Sequence, residues 1–447
     1  MRIVVIFCLL VLSEVVVAQT DSIVNVLTFE DAVKLGLKKN VTYNQQKNQL
    51  LVNEAQRLNS IGNFMPNVNV TGNYAHQSGQ QQTVTGELLD LETDYLGAQL
   101  NAGLTVFNGL KNVAGYSQQS NQLMAQSYLV KRSSQDVVSL VANQYLQVLL
   151  DQELLRIAEE NLKTQQSLLE QTQGFFDVGS RAITDVHNQD ALMKGAQVAV
   201  IRARTNLVND KAILAQTLQL DPSLPLGVKM PELNHRVGLY QDYSIDSLTS
   251  IAVGNRSDLK QMEFQVKANR FSMMGASSGF MPSLSLFANY GSFYYSLIDD
   301  EFTTQLKSIN PSLQYGVNLT IPIFSRFQTR SMRVTSKIAY ENSKLTQENL
   351  EKSVRVDVKR AYNNLLNAIE GYQSSLSQFQ AGELALQTQR ESYDLGISSQ
   401  VDLAQANQTY ILGAASKAQA EITLLFQKIL MEYALGTLRV EDFSNEE

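Results

Sequence analysis

The chain has 447 residues, with 43 acidic and 36 basic side chains and a formal net charge of −7. Because the chain is mildly acidic and its charges are scattered, it lacks the basic surface that nucleic acid requires, which excludes a nucleic-acid partner. Its only cysteine, Cys8, excludes a disulfide within the chain, so packing or assembly must supply the stability.

The first 18 residues have the pattern of a secretory signal peptide. An apolar run from Ile3 to Leu12 follows Arg2, and the small residues Val16 and Ala18 precede the expected cleavage after Ala18. This run is shorter than the roughly 20 residues of a membrane-spanning helix, so an uncleaved anchor is the less favoured alternative. We therefore expect an exported mature chain without cysteine.

The rest of the chain shows an internal sequence repeat. Several short patterns recur at an offset of 216 or 217 residues. They are FMP (64–66 and 280–282), LTVFNGL with IPIFSRF (104–110 and 321–327), and the helical tyrosines Tyr145 and Tyr362. We therefore predict two internal repeats, 19–220 and 244–447, joined by an irregular linker, 221–243, that contains three of the seven prolines.

Long tracts without proline predict very long helices. Residues 67–221 and 323–447 contain no proline, and a proline inside a helix costs about 3 kcal/mol. Apolar residues recur at helical spacing in the first tract, and a helix over about 110–173 would be about 95 Å long. A helix of this length does not fit a compact globule, so it must pack lengthwise against similar helices.

Each repeat also contains two segments in which apolar and polar residues alternate. They predict β-strands at about 66–77, 95–107, 282–297 and 311–324, with polar loops at about 78–94 and 298–310. The flanking aromatic residues are typical of transmembrane strands, but four strands are fewer than the roughly eight of the smallest membrane barrel. A soluble antiparallel sheet is one solution. We favour the other, in which several copies pool their strands in one closed barrel.

One short turn is repeated between the long helices. FDVGSRAITDV (176–186) aligns without gaps with YDLGISSQVDL (393–403), which superposes Gly179 on Gly396 and Asp185 on Asp402. Each glycine can take a positive φ and end the incoming helix. Each acid then lies in the first turns of the next helix, where a carboxylate suits the helix dipole. That structural role alone is sufficient to explain the two acids.

The order of helix, hairpin, long helix, turn and long helix, written twice, together with DVGSRAITDV, FMP and IPIF, resembles the TolC-like outer membrane efflux proteins. The resemblance implies a mainly α chain with a transmembrane β-barrel portion, in which each repeat is a helix, a β-hairpin and a long antiparallel helix pair. It implies a homotrimer with a twelve-stranded barrel in the lipid of the bacterial outer membrane. The helices would form a tunnel in the periplasm, with the linker at its equator.

The resemblance also implies a passive export duct rather than an enzyme, within a tripartite efflux or type I secretion system. A periplasmic adaptor (membrane fusion) protein would open the tip, and an inner-membrane pump of the RND or ABC type would supply the energy. Three features depart from the family pattern. LTVFNGL lacks the proline of IPIF, Ser398 stands where an arginine is common, and Gln405 stands where a second acid can follow.

The repeated turns would give six tips in a trimer, whose acids would form a cation-favouring ring at the periplasmic end of the tunnel. Arg181 is expected to pair with an acid of a neighbouring tip, and Tyr393 lies where the family often has a gating tyrosine. The expected gate residues are Asp185, Asp402, Arg181 and Tyr393. The residues expected to reverse the helices and contact the adaptor are Val178, Gly179, Ser180, Leu395, Gly396 and Ile397.

No pattern in the sequence suggests a catalytic, cofactor or metal site, and the three histidines are scattered. The alternative function is a structural or adhesive trimer whose helices form a solid coiled coil. A solid coil keeps a single apolar seam, whereas a hollow wall leaves one polar face for water. The many Gln, Asn and Ser residues of the long helices favour the hollow wall.

Overall fold

The structure is a computed structural model that describes residues 26–82, 86, 88–223, 226–231, 240 and 243–443. The expected signal peptide, with Cys8, and parts of the expected linker lie outside these residues. The helices are α1 (Phe29–Lys39), α2 (Val41–Gly62), α3 (Lys111–Asp177), α4 (Ile183–Thr217), α5 (Ile245–Asn255), α6 (Ser257–Ala276), α7 (Phe302–Thr304), α8 (Gln328–Asp394) and α9 (Gln400–Leu435). The strands are β1 (Asn67–Gln82), β2 (Leu88–Asn108), β3 (Ser283–Tyr295) and β4 (Ser312–Thr320).

Two helices of 67 residues each, α3 and α8, are the longest elements. At 1.5 Å per residue each is about 100 Å long. In the half nearer the strands, the helices lie side by side in the order α2, α3, α6, α8. In the other half, the order is α4, α3, α9, α8. The long helices thus pack lengthwise, and the free edges of this helical layer are α2 and α4 on one side and α8 on the other. No helix in the described ranges combines the length and apolar character needed to cross a membrane.

The two repeats have the same backbone conformation at their reversals. Eight of the ten described residues with positive φ form pairs that lie 217 apart, although a side chain with a Cβ rarely adopts this conformation. The pairs are Gly109 with Arg326, Leu110 with Phe327, Gly179 with Gly396, and Gln219 with Gly436. Each repeat also begins with two helices, not one, because Asn40 and Arg256 interrupt them with ψ of 123° and 122°. The two sequence repeats therefore share the same backbone conformation at these positions.

The four strands form one antiparallel sheet in the order β1–β2–β3–β4. Side chains alternate between the two faces of a sheet, and the register gives these faces opposite character. One row across the sheet is apolar and joins Val70, Leu100, Tyr290 and Leu313. The adjacent row is polar and joins Asn69, Asn101, Asn289 and Gln314. The apolar face is exposed, with Val70 72% and Leu313 65% accessible.

Three of the expected strand boundaries were wrong. The expected loop at 78–94 is strand over most of its length, because β1 continues to Gln82, which pairs with Leu88 at the start of β2. Residues 78–82 are polar or glycine throughout, which indicated a loop. At the start of β2, Asp90, Glu92 and Asp94 also indicated a loop, although they alternate with Leu89, Leu91 and Thr93. Strand β4 ends at Thr320 rather than near 324, because Pro322 has no N–H to donate to a ladder. The expected loop at 298–310 contains α7 and a π-helical turn, Gln305–Ile309.

The main apolar core lies where the first described residues, the linker and the end of α9 meet. The Phe29 ring packs edge-on against Tyr145 and Phe426, with centroid distances of 5.6 and 5.3 Å. The buried Tyr145 hydroxyl lies 2.8 Å from the Leu27 carbonyl oxygen and 2.6 Å from that of Lys229. The described part of the linker is therefore held against the N-terminal segment by Tyr145.

Candidate functional site

Both helix reversals close with the same hydrogen-bond pattern. In each, the glycine N–H donates to the carbonyl three residues back, and the next N–H donates to the carbonyl five residues back. The four bonds are Gly179 to Phe176 (2.8 Å), Ser180 to Phe175 (2.9 Å), Gly396 to Tyr393 (3.0 Å) and Ile397 to Ser392 (2.9 Å). This is the Schellman motif, and the glycine φ values of 77° and 75° explain why a residue without a Cβ stands in both turns.

The two acids that follow these turns occupy the same helical position but have different partners. Asp185 and Asp402 are each the third residue of their helices, α4 and α9. The Asp402 Oδ2 accepts hydrogen bonds from the Ser399 hydroxyl (2.6 Å) and the Ser399 N–H (3.3 Å), which completes a capping box. Ala182 stands at the equivalent cap before α4 and has no hydroxyl, and the Asp185 carboxylate accepts no hydrogen bond from any described residue.

Tyr393 and Arg181 join the two reversals within one chain. The Tyr393 side chain is 1% exposed, and its hydroxyl lies 3.4 Å from the Thr172 Oγ1 on α3. The Arg181 guanidinium lies 4.5 Å from the centroid of the Tyr393 ring, and its Nη2 donates to the Tyr393 carbonyl oxygen at 3.3 Å. Arg181 thus has a partner in its own chain, whereas the sequence suggested only an acid of a neighbouring tip.

A chain of buried amides continues this connection away from the tip. The Gln189 Nε2 on α4 donates to the Gln165 Oε1 on α3 (2.7 Å), and the Gln400 Nε2 on α9 donates to the Gln189 Oε1 (3.1 Å). Gln400 also donates to the Asp185 carbonyl oxygen at 3.0 Å. These three glutamines, all below 7% exposure, were missed from the sequence, because neutral residues so far apart in the chain form no motif.

The outermost residues of both tips are apolar and exposed. Val178 is 77% accessible, Leu395 75% and Ile397 78%. Ser180 is also exposed, and its hydroxyl donates to the Phe175 carbonyl oxygen at 2.8 Å. Exposed apolar side chains grouped on one small surface are typical of contact sites. Within the described ranges, no group of three or more His, Cys, Asp and Glu side chains could hold a metal ion.

The chain is similar in sequence to known outer-membrane transport proteins. The family model for outer membrane efflux protein matches residues 36–218 and 248–436. The outer membrane protein TolC of Vibrio cholerae is 26% identical over 415 residues, covering 90% of this chain and 91% of that protein. The pyoverdine export outer membrane protein OpmQ of Pseudomonas aeruginosa is 25% identical, covering 77% of this chain and 70% of that protein.

Solved structures have the same fold. The Campylobacter jejuni CmeC outer membrane channel aligns with a TM-score of 0.82 at 16% identity, covering 92% of this chain and 85% of that one. The outer membrane protein VceC from Vibrio cholerae aligns with a TM-score of 0.80 at 13% identity, covering 91% and 96%. The chain therefore belongs to the outer membrane efflux protein family, and it is a transport channel protein of the outer membrane that extends into the periplasm.

Proposed function

We propose that three copies of the chain form one channel, whose barrel contains twelve strands, four from each copy. The sheet carries the proposal. Strands β1 and β4 are each paired on one side only, and the apolar face is exposed. Unpaired backbone donors and acceptors are too costly in lipid, so a membrane sheet must close on itself. Pairing β4 of one copy with β1 of the next closes the ring and leaves the polar face toward water.

The free edges of the helical layer support the same assembly. On α2, Leu51 and Leu58 are 62% and 68% exposed, and on α8, Ile338 and Leu345 are 52% and 62% exposed. Each pair is seven residues apart, so each lies on one stripe of its helix. We propose that these stripes pack together between copies. A solid adhesive coiled coil gives no reason for a polar sheet face, whereas a water-filled duct requires one. The polar face therefore favours the duct.

The duct is proposed to be passive and to work with an adaptor and an inner-membrane pump of the RND or ABC type, for efflux or type I secretion. Relatives in Pseudomonas putida are named antibiotic and toluene efflux pump outer membrane proteins, which supports a pump partner here. The adaptor is proposed to contact the exposed tips. Its contact residues would be Val178, Gly179, Ser180, Leu395, Gly396 and Ile397.

The gate is proposed to lie at the two reversals. Arg181 and Tyr393 would hold the tips of one copy together, and the acids would form a ring that favours cations. The two acids are not equivalent, because Asp402 is engaged in its helix cap while Asp185 is not. We therefore propose that Asp185 supplies most of the cation preference.

Cysteine cross-linking of the full chain tests the closed ring, because the mature sequence after residue 18 has no cysteine of its own. Thr71→Cys on β1 would be combined with Gln314→Cys, Gly316→Cys or Asn318→Cys on β4, in the cell envelope. We expect one combination to give dimers and trimers and nothing larger. The matched control combines Thr71→Cys with Asn289→Cys on the central strand β3, and it stays uncross-linked. If no β4 position cross-links to Thr71→Cys, or if cross-linked species larger than trimers form, the trimeric barrel is contradicted.

A further inference from the structure

A group of cations without acids follows the last strand. Between residues 321 and 340 the sequence contains four basic residues and neither Asp nor Glu. They are Arg326, Arg330, Arg333 and Lys337. All four are exposed, and none forms an ion pair, a hydrogen bond or a ring contact with a described residue. Arg330, Arg333 and Lys337 are spaced by three and four residues at the start of α8, so they lie on one face of that helix.

Two of these cations, Arg333 and Lys337, border an apolar groove beside the sheet. The groove has a volume of about 450 Å³ and lies between α3 and α8, with α6 as its floor. We name it the junction groove, and its apolar lining is Leu110, Val113, Phe271, Met273, Met274 and Met281. Arg333 and Lys337 form its α8 side. Met274 on the floor and Val113 on the α3 side are 45% and 50% exposed, so the apolar lining is open.

A neighbouring copy of the chain does not account for this opening. The free edges of the helical layer in this half are α2 and α8, whereas the floor of the groove is α6, which lies between α3 and α8 of the same copy. Copies that pack edge to edge therefore leave the floor uncovered. The occupant must combine an apolar part for the methionines with an anionic part for the cations.

Comparison of the repeats shows that the shared fold does not require these charges. The positions 217 residues before the four cations, in the first repeat, hold uncharged residues. They are Gly109, Val113, Tyr116 and Ser120. The same strand-to-helix junction thus has one cation, Lys111, in the first repeat and four cations in the second. The charges belong to an additional property of the second repeat.

We propose that the junction groove binds an acidic phospholipid of the periplasmic leaflet, with an acyl chain on the Met273 and Met274 floor and the phosphate beside Arg333 and Lys337. The location supports this occupant, because the cations follow directly after the proposed membrane strand β4, which ends at Thr320. The segment that joins β4 to α8 begins with apolar residues, of which Ile323 is 91% exposed. Cations at a membrane surface each favour anionic lipid by about fivefold. The inference rests on the proposed membrane barrel, which sets the groove at the lipid boundary.

A single indole provides the test, because the chain has no tryptophan. Full-length protein with Met274→Trp would be placed in phosphatidylcholine vesicles that contain a minor fraction of lipid with brominated acyl chains, which quench indole fluorescence on contact. We expect brominated phosphatidylglycerol to quench several-fold more strongly than the same fraction of brominated phosphatidylcholine. Adding Arg330→Gln, Arg333→Gln and Lys337→Gln removes this difference.

Two matched controls keep the result specific. Lys352→Gln, Arg355→Gln and Lys359→Gln remove three exposed cations from the same helix, about 33 Å further from the sheet, and retain the difference. Val317→Trp on the apolar sheet face, with 61% exposure at that site, reports general lipid contact and is quenched equally by both lipids. Arg333→Tyr with Lys337→Ser, which copies the first repeat, removes both cations that line the groove and replaces the triple variant if that variant does not fold.

Equal quenching at Met274→Trp by the two brominated lipids, or no quenching, overturns the lipid site. Channel conductance is measured on the same vesicles. If the vesicles conduct ions but Met274→Trp shows no lipid preference, the lipid site is contradicted and the proposed channel is not. A lipid preference in vesicles that do not conduct supports the lipid site and contradicts the proposed channel.

Discussion

The Arg181 guanidinium stacks on the Tyr393 ring at 4.5 Å, which joins the reversal after α3 to the reversal after α8. A cation–π contact at a partly exposed site contributes about 0.5–1 kcal/mol. The accompanying hydrogen bond to the Tyr393 carbonyl oxygen adds about 1.5–3 kcal/mol at most, since its donor is charged. The tips of one chain are thus held together by a free energy that the binding of a partner can offset.

Arg181→Met is predicted to weaken the closed tip, because it removes both the stacked charge and the donated hydrogen bond. The open fraction in single-channel recordings should rise by about fivefold or more for a loss of about 1 kcal/mol. Arg181→Lys, which keeps the charge, should have a smaller effect. Tyr393→Phe keeps the ring and should lie near wild type. Recordings in which Arg181→Met matches wild type would refute this role.

Ser399→Ala is predicted to loosen the first turn of α9, because it removes the hydroxyl that accepts from the Asp402 N–H and donates to the Asp402 Oδ2. Loss of such a cap costs about 1 kcal/mol. Hydrogen exchange followed by mass spectrometry should show faster exchange of the amides at 400–403. Ser398→Ala, outside the cap, is the control. The reciprocal change Ala182→Ser should slow exchange at the start of α4, and no change in either variant contradicts the cap asymmetry.

Gly396→Ala and Gly371→Ala are predicted to act in opposite directions. Gly396 has a φ of 75°, so a Cβ there is strained, and we expect a loss of about 1 kcal/mol. Gly371 lies inside α8, with nothing within 4 Å of an added Cβ, so alanine should stabilise by about 0.5–1 kcal/mol. Thermal unfolding of the two variants under identical conditions checks the signs, and two shifts in the same direction would contradict the assignment.

Asp151 on α3 is predicted to make stability fall as pH rises. Burial raises the pKa of its carboxyl to about 7, and the nearby Asp210 carboxyl adds to the shift. The folded chain therefore keeps a proton that the unfolded chain releases near pH 4, so stability decreases between about pH 4 and pH 7. Asp151→Asn should raise the unfolding temperature at pH 8 more than at pH 5.

The control for Asp151→Asn is Glu170→Gln, which neutralises an exposed carboxylate on the same helix. Its effect on the unfolding temperature should be small and similar at both pH values. A stabilisation by Asp151→Asn that is equal at pH 5 and pH 8 would show that the Asp151 carboxyl is already ionised at pH 5 in the folded chain.

The sequence alone predicted those elements whose cause lies in neighbouring residues of the chain. Long proline-free tracts predicted the helices α3 and α8, and the repeated glycines at 179 and 396 predicted the reversals. The extension of β1 to Gln82 was missed, because polar alternation without an apolar face does not differ from a loop in composition. Its pairing with the first residues of β2 identifies it as strand.

Contacts between distant residues account for what the sequence could not predict at the tips. Arg181 and Tyr393 were both selected, but their stacking depends on how α8 lies beside α3. The different roles of the two acids have a readable signal, since Ser399 precedes one and Ala182 the other at the same offset. Because only a hydroxyl at that position can complete a capping box, the difference between Asp402 and Asp185 follows from these neighbouring residues alone.

The claim that the chain is a water-filled channel is tested most directly by reconstituting purified full-length protein into planar bilayers and recording single-channel currents. We predict discrete current steps that favour cations, and a larger conductance with a weaker cation preference when Asp185 and Asp402 are both changed to Asn. Trimeric protein that inserts into bilayers and passes no current, even with both acids removed, would contradict the channel.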